Sequence, residues 1–138
     1  MTTNSVLNLR TTYLYAEGPS LLRVDCDALW KRLMGGAPAG PEAEQVAQGS
    51  GWLVGLHHYG ENWPMWEMHP EGDEIVHVVE GSFEFVIDAS GPETHVTVEA
   101  GQTLVVQRGA WHRAIVHTPG NAVHITFGKG TQHRPVDD

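Results

Sequence analysis

Two stretches of the chain concentrate the residue types that do chemistry. The first runs Trp66-Glu67-Met68-His69-Pro70-Glu71-Gly72-Asp73-Glu74-Ile75-Val76-His77-Val78-Val79-Glu80-Gly81. Glu67 and His69 are two apart, so on a strand both side chains leave from the same face. Pro70-Glu71-Gly72-Asp73 reads as a turn, and a hairpin there swings Glu74 back beside His69. The second stretch runs Gly101-Gln102-Thr103-Leu104-Val105-Val106-Gln107-Arg108-Gly109-Ala110-Trp111-His112. Its glycine turn delivers His112 to the start of another strand. Imidazoles and carboxylates hold iron, manganese, zinc and nickel, and two imidazoles with one carboxylate make the open triad of non-haem iron sites. Two buried carboxylates facing each other repel, and one pKa rises; a divalent ion removes that conflict.

The elements that position these residues read as short strands: 52–59, 65–69, 74–79, 83–88, 95–99, 103–107, 112–117 and 122–127. Turn signals separate them, among them Glu80-Gly81, Ala100-Gly101, Arg108-Gly109 and Pro119-Gly120-Asn121. Many short strands with regular Gly and Pro punctuation predict an all-β sandwich or barrel over 51–128. Before it, residues 1–50 read as an N-terminal arm with one short helix. Asp25 or Asp27 caps that helix, Leu29, Trp30, Leu33 and Met34 share a face, and Gly35-Gly36 stop it. Residues 37–50, rich in Ala, Pro and Gly, read as a linker, and 129–138 as a tail whose last residues fray.

Composition bounds the function. The 138 residues, 41% hydrophobic and 18% charged, fit one globular domain. No apolar run spans a bilayer, and the first residues lack the pattern of a secretory leader. Cys26 is the one cysteine, so an internal disulfide framework is excluded and a cytoplasmic setting is expected. A net charge of −9 argues against nucleic acid or an anionic membrane as partner. Strand 74–79 is apolar on both faces, so its outer face needs a cover, either the N-terminal helix or a second copy of the chain, and a homodimer is the favoured expectation.

At the level of motifs, the chain resembles the cupin superfamily. The family's first motif runs G-x5-H-x-H-x(3,4)-E-x6-G and its second G-x5-P-x-G-x2-H-x3-N. His69, Glu74 and Gly81 fall on the first; Gly101, Gly109 and His112 fall on the second. Glu67 stands where the family has its first His, Gly60 comes one residue early, and Gln107 and Val116 replace the Pro and the Asn. The resemblance spans roughly 52–127. It implies a double-stranded β-helix barrel, jelly-roll-like, with one divalent metal (Fe, Mn, Zn or Ni) in its mouth and Glu67, His69, Glu74 and His112 as ligands. It further implies an enzyme of oxygenase, isomerase or lyase type acting on a small organic molecule, with Glu67 as general base if it detaches from the metal. A non-catalytic small-molecule sensor and a metal-free sugar-modifying barrel using His69 or His112 are the alternatives.

Residues expected to face a substrate are His58, Tyr59, Trp111 and His124. One of His57 and His58 must face the barrel, and His124 lies between small or polar neighbours that suit a cavity wall. His133 reads as a tail residue and His95 as a solvated strand face. Replacing one of three histidines by Glu67 brings the metal-loaded site near neutrality, so oxalate-like dianions should be disfavoured.

Overall fold

A computed structural model describes residues 4–36 and 38–137. Nine strands form one curled antiparallel sheet: β1 Thr12–Ala16, β2 Leu21–Asp25, β3 Trp52–Tyr59, β4 Met65–Met68, β5 Glu74–Asp88, β6 Thr94–Glu99, β7 Thr103–Val106, β8 Trp111–Phe127 and β9 Gln132–Pro135. Two short helices, α1 Cys26–Gly35 and α2 Pro41–Gln48, lie between β2 and β3.

β5 and β8 organise the molecule. They pair along most of their length, from Glu74↔Thr126 to Asp88↔Trp111. The first half of β5 takes β7 on its other edge, and the second half takes β6. The end of β8 takes β3, and its start takes β4 at Glu67↔His112. The result is two rows of strands joined through the two long strands. Phe83, Phe85, Val76, Val78 and Tyr59 fill the space inside.

Glu80-Gly81 and Pro119-Gly120-Asn121, read from the sequence as turns that end strands, face each other across this ladder. They bend β5 and β8 together, with shifts in register between Val78 and Phe83. Gly81 takes φ 97°. A Cβ on Gly120 would lie 1.9 Å from the Glu80 carbonyl oxygen, so only glycine allows the two backbones to close there.

The N-terminal region departs further from expectation. β1 pairs with β2 and β3, so the arm extends the sheet. α1 is capped by Asp25, whose side chain accepts from the Ala28 N–H, and it ends at Gly36 in the left-handed region. It buries Leu29, while Leu33 and Met34 stay exposed. The predicted linker holds a second helix. Pro41 at its first position is pre-set for a helix, and Glu42-Ala43-Glu44-Gln45 are good helix formers. Arg32 on α1 donates two hydrogen bonds to Glu44 on α2. Residues expected to fray at the C-terminus form β9 instead, paired with β4 from Met65↔Pro135 to Met68↔Gln132.

Candidate metal centre

Glu67 on β4, His69 just after it, Glu74 at the start of β5 and His112 near the start of β8 converge. One donor atom from each lies within 4.8 Å of the others. The hairpin from β4 to β5 brings His69 back to Glu74, and the β4–β8 pair sets Glu67 opposite His112. His69 Nε2 stands 3.2 Å from Glu67 Oε1 and 3.4 Å from Glu74 Oε2. His112 Nε2 stands 3.1 Å from Glu74 Oε1 and 3.6 Å from Glu67 Oε1. Glu74 and His112 are buried, and Glu67 is the most open of the four, its side chain 19% exposed.

The protons of both rings can be placed from their outer bonds. His112 Nδ1 lies 3.2 Å from the Ala110 carbonyl, which only accepts, so Nδ1 carries hydrogen. His69 Nδ1 lies 2.7 Å from Thr131 Oγ1, and that hydroxyl already donates to the Gly128 carbonyl. The hydroxyl therefore accepts from His69 Nδ1–H. Each neutral ring then turns a lone pair on Nε2 toward two carboxylates. His69 Nε2, His112 Nε2 and Glu74 Oε1 are buried with no hydrogen-bond partner. Four donor atoms meeting in this way, three of them without a hydrogen-bond partner, fit a cation, and the N₂O₂ set fits a divalent transition metal.

Without a metal, protons must fill that role. Burial alone would lower both imidazoles, but the Glu67 and Glu74 carboxylates outweigh it and lift His69 to about 9 and His112 to about 10. Both carboxylates, against their own burial, are held well below the usual range by the surrounding histidines.

Glu74 is anchored from behind. Thr126 Oγ1 donates to its Oε2 at 2.6 Å, and His124 Nδ1 lies 3.2 Å from the same oxygen. His124 Nε2 in turn bonds the Tyr59 hydroxyl. The structure thus places Tyr59 and His124 behind Glu74 as buried supports. Of the histidine pair, His57 is the one turned inward, its ring 4.5 Å from that of His124. His58 is exposed and bonded to Asn121. Trp111 leaves β8 on the face opposite His112 and lies under Arg134, 4.4 Å from guanidinium to ring. The aromatic ring beside His112 is Trp63, at 6.0 Å.

Two contributors were absent from the sequence reading. Thr131 and His133 come from the segment expected to fray, and His133 Nε2 donates to Glu67 Oε2 at 2.9 Å. No local pattern signals them, because both act only once β9 has paired with β4.

The cupin-domain family profile matches residues 56–135. No curated protein matches the sequence. Among solved structures, a cupin-2 domain protein from Shewanella frigidimarina is 21% identical, with a TM-score of 0.46 over 54% of this chain and 69% of that one. Hydroquinone 1,2-dioxygenase PnpCD, solved with Cd2+ and 4-hydroxybenzonitrile, is 16% identical, with a TM-score of 0.47 over 54% of this chain and 56% of that one. Peruvianin-I, a cysteine peptidase from Thevetia peruviana latex, is 14% identical, with a TM-score of 0.51 over 63% and 56%. These likenesses concern the fold. The matched part of this chain spans little more than half of the latter two chains.

Proposed function

This chain belongs to the cupin-domain family, and from that premise we propose that it is a divalent-metal enzyme acting on a small organic molecule. The observation that carries the reading is the meeting of His69 Nε2, His112 Nε2 and Glu74 Oε1, all buried and unpartnered, beside Glu67 Oε1. Iron, manganese, zinc or nickel would be held by these four residues, and the ion would act as a Lewis acid that polarises a bound oxygen.

The chain's own residues divide the remaining work. Glu74, fixed by Thr126 and His124, belongs to the rigid wall. Glu67 is the open side of the site, so a substrate approaches there. Trp63, packed near His112 and His124, gives the site an apolar wall. Two carboxylates cancel the two charges of the ion. Neutral, singly anionic or cationic substrates are therefore favoured over dianions. On the outside, Val79 and Val105 are 53% and 57% exposed, which supports a second copy packed on β5 and β7.

Elemental analysis of protein purified without chelator, followed by equilibrium binding of Mn2+, Fe2+, Zn2+ and Ni2+, tests the reading. One tightly held ion per chain supports it. A protein that is isolated metal-free and takes up none of the four contradicts it.

A further inference from the structure

The proposed enzyme leaves open whether Glu67 is a held ligand or a free base, and the C-terminal strand bears on that choice. We propose that His133 is the positioning residue that commits Glu67 to the metal; this rests on the metal-site reading above. Glu67 has two oxygens and they face different partners. Oε1 faces His69 and His112, and Oε2 accepts from His133 Nε2 at 2.9 Å. His133 is a quarter exposed at its side chain, and its register is fixed because it pairs with Glu67 itself across β4 and β9. Donor and acceptor therefore leave opposed positions on neighbouring strands, where side chains are closest.

Two residues earlier, Thr131 fixes the hydrogen of His69 on Nδ1. The segment just before β9 and β9 itself thus hold two of the four donors through two separate bonds. Groups that orient a metal ligand from outside commonly change metal affinity 10- to 100-fold when removed. With Oε2 engaged, Glu67 offers Oε1 alone. With His133 lost, the carboxylate is free to rotate, so its hold on the ion weakens and the surroundings of the ion change.

The test compares wild type with His133→Gln, His133→Phe and, as a surface control, His95→Ala. Each full-length protein is titrated with Co2+ to read both the dissociation constant and the visible absorption of the bound ion. Gln restores an N–H donor, while Phe keeps volume without one. The proposal expects His133→Phe to weaken Co2+ binding by about 10- to 100-fold with a changed spectrum, and His133→Gln to stay within about fivefold of wild type with the native spectrum. His95→Ala should match wild type. If Phe binds Co2+ like wild type, or Gln and Phe fail equally, the donor role is overturned while the metal site stands. If wild type binds no Co2+, the underlying reading falls with it.

Discussion

His57 and His112 both turn into the barrel, yet they are pulled in opposite directions. His57 sits among Tyr13, Trp30 and His124, with ring centroids 5.4, 6.4 and 4.5 Å away. Burial, reinforced by His124, lowers it to about 4. His112 is buried more deeply than His57, yet it faces Glu67 and Glu74 and rises to about 10. Burial alone would lower the more deeply buried His112 further, so it does not account for the contrast. Two carboxylates at one end do, and they make that end a group of donors able to hold a cation. His124 marks the boundary, with Glu74 on one nitrogen and Tyr59 on the other.

The largest expected effect is the pH dependence of metal affinity. Metal-free His69 and His112 have pKa values raised from 6.5 to about 9 and about 10, so they hold protons that stabilise the fold. That stability is complete below 6.5 and lost as pH rises through 9 to 10. An incoming ion must displace those protons. Affinity measured by calorimetry should therefore climb on the order of 10- to 100-fold per pH unit from about pH 6 to 8. A flat profile would break the contrast between the two ends.

Next in size, Glu74→Gln should weaken metal binding beyond the roughly 100-fold limit typical of outer partners, because the proposed site would lose one of its four ligands, the one that Thr126 and His124 hold in place. In the metal-free protein it should also bring the His69 and His112 titrations down, which ring-proton NMR reads. Unchanged titrations would mean that Glu74 is not what separates these histidines from His57.

His57→Leu probes the other end. Because folding lowers this pKa, the unfolded chain binds the proton more tightly, and stability is lost as pH falls from 6.5 through 4. The cost in wild type is roughly 3 kcal/mol between about pH 7 and pH 4. The leucine variant should lack that share of acid sensitivity in urea unfolding while binding metal normally. The smallest effect is expected at Gly55, where a Cβ would come 2.8 Å from the Tyr13 ring. Gly55→Ala should loosen the N-terminal strands by about 1–3 kcal/mol. Metal affinity should not change.

These ends were not equally legible in the sequence. Glu67, His69, Glu74 and His112 could be found because they lie in two short stretches whose spacing resembles the two cupin motifs. The strand character of 52–127 followed from short runs separated by regular Gly and Pro punctuation. What remained hidden depends on pairing between distant segments. Gly120 looks like a turn residue until Glu80 is set against its Cα. His58 was preferred over His57, since parity along β3 is fixed only by the partners on β8. Residues 131–135 carry little local signal, and β9 gains its order from β4. α2 was masked by Pro and Gly on either side of a segment whose interior favours a helix.

A titration of metal-free protein with Zn2+, followed through the histidine ring nitrogens by NMR, bears most directly on the claim that the four side chains share one ion. The account predicts saturation at one equivalent, with Nε2 of His69 and His112 shifting to metal-bound values while both Nδ1 atoms keep their hydrogens. Shifts confined to the exposed His95 and His117, with His69 and His112 still taking up protons as before, would contradict it.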